Sequence, residues 1–204
     1  MKILIPMAGE GSRFVKEGYT FPKPLIEVNG KPMIQTVVEN LDFNAEYIFL
    51  VRKKHLEKYQ GLESTLKRIT NNRYKLVEVE GLTEGAACTT LLAKELIDND
   101  QPLLIANSDQ WIDWSPEHFM SYVKRRNADG SILSFISESP KHSYSKIEDG
   151  YITEVAEKKV ISNHATVGIY YWKKGSEYVR CAEEMIQKDI RHNNEFYVCP
   201  VYNQ

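Results

Sequence analysis

Residues 1–14, MKILIPMAGEGSRF, join a short apolar run to a glycine-rich turn, and the reading of this junction decides the fold. Ile3, Leu4 and Ile5 form a compact run bounded by turn-forming residues, the pattern of a strand buried on both faces. Further on, PMIQTVVENL at 32–41 sets Ile34, Val37, Val38 and Leu41 on one helical stripe, with Pro32 tolerated near its start. YIFLV at 47–51 is again continuous and apolar. Strand, loop, helix, strand is the order of a βαβ unit, which implies a parallel strand pair.

The alternation continues outward from this unit. Residues 55–69 read as a helix, 74–81 as a strand, 86–97 as a helix and 102–107 as another buried strand. A helix over 115–126 is expected to start at Ser115 with an imperfect capping box, because the third residue on is His118 rather than Glu or Gln. SILSFI at 131–136 is a strand. Residues 143–158 break the pattern: two alternating runs meet at Asp149-Gly150, a strong hairpin signal, and predict an antiparallel insertion. ATVGIYYW at 165–172 returns to a buried strand, and 176–187 is a helix with Tyr178, Cys181, Ala182 and Met185 on one side. Neither an internal repeat nor a linker interrupts the chain, so one domain is expected.

Composition narrows the class. With 204 residues, 42% hydrophobic and 26% charged, the chain has enough apolar content for a sizeable core. A net charge of -2 without a basic stripe argues against tracking a nucleic-acid backbone. Cys88, Cys181 and Cys199 are far apart and show no C-x-x-C spacing, which suits a reducing cytoplasm. The apolar run from Ile3 to Ala8 is too short for a signal-peptide core or a membrane span. Histidines at 55, 118, 142, 164 and 192 have no metal-ligand spacing.

The opening turn leaves the first strand at its carboxyl end, where ligands collect in an open α/β sheet. Gly9 and Gly11 would let the backbone approach a phosphate, and Arg13 supplies a bidentate cation. The turn lacks the G-K-[ST] ending of a Walker loop, and Phe14 stands where the dinucleotide pattern needs glycine. Spacing alone leaves both a phosphate cradle and a plain turn open. Lys23 adds weight to the cradle: between Pro22 and Pro24 it is held out of any helix or central strand, on a stiff backbone suited to placing an ammonium on a phosphate.

MAGEGSRF followed by FPKPLIEVNGKPMI resembles the signature of the nucleotidyltransferases that make activated sugars and related metabolites. EGAACTTLLA, LLIANSDQW, EVAEK and ATVGIYYW are similar, in order and over nearly the whole chain, to that family's base-binding, metal-binding, sugar-phosphate and late core segments. The resemblance implies a Rossmann-like three-layer α/β sandwich with a mixed, mostly parallel sheet and a β-hairpin insertion. It also implies transfer of a nucleotidyl group from an NTP to a phosphorylated acceptor with release of pyrophosphate, for capsule or surface polysaccharide. By the same resemblance Arg13 and Lys23 would hold the triphosphate. Met7, Ala8, Gly9, Glu10, Gly11, Ser12, Glu84, Gly85, Ala86 and Ser108 would bind the nucleotide, and Asp109 would bind Mg2+. Trp111, Glu157, Lys158 and Gly168 would face the acceptor.

Each role has a structural competitor. Asp109 could be a turn former, Glu84 a helix N-terminal charge, Gly85 and Ala86 plain packing, Trp111 core, and Lys158 one solvated charge in a run of charges. Two departures from the family pattern stand out. In EFYVCPVYN, Pro200 falls where many members carry a second metal-binding aspartate, leaving Asp109 to act alone or Glu195 to substitute. The chain also ends at Gln204 where members continue, so a missing C-terminal portion is expected. A pyrimidine nucleotide, with CTP slightly favoured, is the expected donor. A glycosyltransferase using nucleotide-sugars and a non-catalytic nucleotide-binding module are the alternatives, and a homo-oligomer is left open.

Overall fold

A computed structural model of the chain describes residues 1–9, 18 and 21–204. Its strands are Lys2–Pro6 (β1), Glu27–Val28 (β2), Lys31–Pro32 (β3), Glu46–Arg52 (β4), Tyr74–Val79 (β5), Leu103–Ala106 (β6), Gly130–Ile136 (β7), Tyr144–Glu148 (β8), Tyr151–Ala156 (β9) and His164–Trp172 (β10). Its helices are Met33–Leu41 (α1), Lys53–Lys58 (α2), Gly61–Ile69 (α3), Ala86–Leu91 (α4), Lys94–Ile97 (α5), Pro116–Arg126 (α6) and Gly175–Gln187 (α7). Short 3-10 turns occupy Lys23–Leu25 and Cys199–Asn203.

Among the described residues, the main sheet runs β5-β4-β1-β6-β10-β8-β9, with β7 added on β10. The pairs β4–β5, β1–β4 and β1–β6 are parallel, while β10 runs antiparallel to β6, β7 and β8. After β1 the chain builds outward through β4 and β5, then returns to place β6 on the other side of β1. That reversal is a topological switch point, and it opens a crevice beyond the carboxyl ends of β1 and β6.

Alternation of side chains along buried strands divides the core between the two faces of the sheet. Leu4, Ile48 and Leu50 pack on one face with Ala87, Ile97 and Tyr178 from α4, α5 and α7. Ile3, Ile5 and Phe49 pack on the other with Ile34, Leu62 and Val123 from α1, α3 and α6. The result is the three-layer α/β sandwich expected from the sequence. Phe49 is fully buried, and truncating such a residue to alanine typically costs about 3–5 kcal/mol.

Local differences from the sequence reading have local causes. The helix expected over 55–69 divides at Tyr59, whose ring packs 5.7 Å from that of Phe21 and 6.3 Å from His55, and Gly61 opens the next helix. The helix expected over 86–97 divides after Leu91. Thr89 and Thr90 hydroxyls donate back to the carbonyls of Gly85 and Ala87, and the next amides tighten to the third residue back. A small hairpin, β2–β3, turns at Asn29-Gly30 with both residues at positive φ. The Asp149-Gly150 hairpin and the Ser115 cap, which accepts from the His118 amide at 3.2 Å, lie where expected.

Candidate active site

The crevice at the switch point holds a cavity of about 500 Å³ built from strand ends. Met7 extends the β1 ladder by donating to the Leu50 carbonyl at 3.0 Å, after which Ala8 and Gly9 turn away along the cavity wall. Beyond β6, Asn107, Ser108 and Asp109 line the opposite side. Lys23 enters from its 3-10 turn, where Leu25 donates to the Pro22 carbonyl at 2.8 Å and Pro24 is buried. The backbone is thus stiff where the ammonium projects. Lys23 forms an ion pair with Asp109, and both side chains remain partly open to solvent.

Gly85 and Ala86 close the far end of the cavity. Gly85 has φ of 128°, and a Cβ there would meet the backbone of Phe196, so only glycine fits without displacing the chain. The close approach is stitched by two backbone bonds, from Phe196 N to the Glu84 carbonyl at 2.7 Å and from Ala87 N to the Phe196 carbonyl at 2.9 Å. The Glu84 carboxylate pairs with Arg191 instead of lining the cavity. Glu195, next to Phe196, does line it. Pro200 lies in the closing 3-10 turn, away from this lining.

A second cavity of about 530 Å³ adjoins the first, and Asn107 belongs to both. Trp111, 67% exposed, and Gly168 line it together with Gln110, Asp113 and Ser143. Gly168 has φ of 83°, and its missing Cβ makes room for the Asn107 amide. It sits in the bulge between Thr166 and Tyr170, where β10 changes neighbours from β8 to β6. β10 thus links the hairpin, paired with it at Ala165, to the parallel half of the sheet, paired with it from Ile169 on. Glu157 accepts from the Ser143 hydroxyl at the rim of this cavity, and burial raises its carboxyl pKa above the ordinary value. Lys158 donates to Tyr197 Oη at 2.8 Å, a bond that raises the lysine pKa.

Of the sequence-selected residues, Met7, Ala8, Gly9, Lys23, Gly85, Ala86, Ser108 and Asp109 share the first cavity, while Trp111 and Gly168 share the second. Glu157 reaches the second through Ser143, Lys158 beside it lines neither cavity and bonds Tyr197, and Glu84 pairs with Arg191 outside the first. Glu10, Gly11, Ser12 and Arg13 lie outside the described residues. Asn107 and Tyr197 were not selected: nothing in the local pattern marks them, because their roles come from neighbours remote in sequence.

Burial raises the thiol pKa of Cys88 and pushes that of Cys199 up to about 12, which keeps both protonated at neutral pH. Among the described residues, no group of three or more His, Cys, Asp and Glu is placed to enclose a metal. Mg2+ needs no such cage; it takes one or two carboxylates and completes its shell with water and substrate phosphates. The carboxylates of Asp109 and Glu195, on the wall of one cavity, fit that donor chemistry.

The architecture is shared with solved structures. The nucleoside-diphosphate-sugar pyrophosphorylase from Vibrio cholerae RC9 superposes with a TM-score of 0.80 at 23% identity, over 98% of this chain and 86% of that one. UDP-glucose pyrophosphorylase complexed with UDP-glucose gives 0.77 at 20% identity, over 99% and 85%. In sequence, the mannose-1-phosphate guanyltransferase of Yarrowia lipolytica is 31% identical over 191 residues, covering 83% of this chain and 48% of the relative. The bifunctional protein GlmU of Methanocaldococcus jannaschii is 29% identical over 122 residues, or 60% and 28%. The chain thus spans about half the length of the curated guanyltransferases it matches. Residues 2–200 match the family model described as nucleotidyl transferase, a span that includes both cavities, and the chain belongs to that family.

Proposed function

We propose that the protein transfers a nucleotidyl group from an NTP to a sugar phosphate, with release of pyrophosphate. The observation that carries this reading is the convergence of Lys23, Asp109 and the Gly85-Ala86 segment on one cavity that shares Asn107 with a second. The first cavity would take the triphosphate donor, its base toward Gly85 and Ala86 and its phosphates toward Lys23 and, from the opening loop, Arg13. The second would take the acceptor, with Trp111 against a sugar face and Lys158 near its phosphate.

In the reaction, an acceptor phosphate oxygen forms a bond to the α-phosphorus as the bond to pyrophosphate breaks. A phosphomonoester has a second pKa of about 6, so this oxygen is largely anionic at neutral pH and needs no general base. The obstacle is repulsion between two polyanions, which positioned cations offset. Lys23 would exchange its carboxylate partner for phosphate oxygens, freeing Asp109. Asp109, with Glu195, would hold Mg2+, which supplies charge neutralisation across the phosphates.

The relatives named mannose-1-phosphate guanyltransferase favour guanyl transfer and a hexose 1-phosphate over the cytidylyl lean of the sequence reading. An activated hexose would serve polysaccharide assembly. The test is pyrophosphate release with four NTPs, Mg2+ and a panel of sugar 1-phosphates. Release with at least one pair is expected, and silence across the panel overturns the reading.

A further inference from the structure

Residues 191–197 form a strap that runs from the Glu84–Ala87 segment beside the first cavity to Lys158. On one side Phe196 is stitched to the Glu84–Ala87 backbone, Arg191 pairs with Glu84, and the Arg191 guanidinium lies 4.2 Å from the Phe196 ring centroid. On the other, Tyr197 meets Lys158 twice: its hydroxyl accepts from Nζ at 2.8 Å, and its ring centroid lies 4.7 Å from the same ammonium. Glu195 faces the first cavity and bears on the Tyr197 phenol, whose pKa burial raises first.

Lys158 has φ of 49°, a left-handed conformation uncommon for a long side chain, so its backbone direction is set by its surroundings. A lysine on a free surface distributes its ammonium over many rotamers. Here hydrogen bond and ring select one, at the end of the β9 hairpin and beside Glu157.

We propose that Tyr197 is a positioning residue: it holds the Lys158 ammonium in place for the acceptor phosphate and, through the strap, ties that place to the segment that lines the donor cavity. The proposal rests on the transfer reading above for the identity of the acceptor. Tyr197→Phe keeps the ring and the fold while removing the hydroxyl. In steady-state assays its acceptor KM is expected to rise about 5–10-fold, with NTP KM and kcat within about 2-fold. In a Lys158→Ala background the same substitution is expected to change nothing, since the group it acts through is gone. An unchanged acceptor KM, or an equal rise with and without Lys158, overturns the proposal.

A second readout does not depend on turnover. In 1H–15N spectra of the lysine ammonium groups, Lys158 is expected to show a slowly exchanging signal that Tyr197→Phe abolishes. A wild-type Lys158 signal as mobile as those of exposed lysines overturns the positioning role. Wild type inactive on every pair, with the ammonium still ordered by Tyr197, counts against the transfer reading alone.

Discussion

The first cavity is lined by residues at and just past the ends of β1, β5 and β6, with Ala8, Gly9, Gly81, Gly85 and Ala86 among them; the second is lined by the bulge of β10, the segment before β8 and the loop after β6, with Trp111, Lys141 and His142 among them. Gly85 and Gly168 show the contrast. Each has a positive φ and each leaves no room for a Cβ, but Gly85 admits the backbone of Phe196 whereas Gly168 admits the amide of Asn107. Where lining residues are glycine or alanine, the main chain is most of what they can present. Large polar and aromatic lining residues can be altered one by one, and under the proposed transfer the first cavity would take a constant triphosphate and the second a variable acceptor.

The largest expected effect belongs to the pair that both substrates would need. Asp109→Ala and Lys23→Ala are each expected to lower kcat/KM for pyrophosphate release by about 10²–10³-fold, for every acceptor tested. An effect confined to one substrate's KM would break the view of a shared charge centre.

Next come the glycines. Gly85→Ala is expected to cost roughly 1–3 kcal/mol in chemical denaturation from its backbone conformation alone, and to raise NTP KM. Gly168→Ala is expected to raise acceptor KM. An exchange of these two phenotypes would reverse the assignment of the cavities. Trp111→Ala tests the acceptor side more gently: being 67% exposed, the indole contributes little to folding. Loss of its stacking face is expected to raise acceptor KM about 5-fold with melting temperature unchanged.

The smallest effect concerns pH. Burial raises the Glu157 pKa, so the folded state holds that proton more readily than the unfolded state does. Stability from this group therefore falls as pH rises from the ordinary carboxylate range through the raised value. Glu157→Gln removes the half-buried charge and can still accept from Ser143. Its melting temperature is expected to exceed wild type at neutral pH, with the gap closing on acidification. A gap that widens on acidification would show that charge on Glu157 stabilises the fold.

Legibility followed the range of the forces involved. The buried runs at β1, β4 and β6, the stripe on α1, the Asp149-Gly150 turn and the Ser115 cap all express short-range rules, and each was readable from neighbouring residues. The Asn29-Gly30 turn was equally local, and its dipeptide was available to be read. The break after Leu91 was harder, because it depends on threonine hydroxyls turning back on the helix backbone.

The sequence by itself determined the alternation of elements, the rigid setting of Lys23 between prolines, and the placement of Asp109 just past a buried strand. Only the tertiary structure decided that Glu195 lines the first cavity, that Glu84 turns to Arg191, that Asn107 belongs to both cavities, and that Lys158 bonds Tyr197. The reason is physical. Periodicity and turn chemistry are properties of adjacent residues, whereas these contacts join segments up to 107 residues apart, and their distance is set by how the bulge in β10 and the 191–197 strap bring separate parts of the chain together.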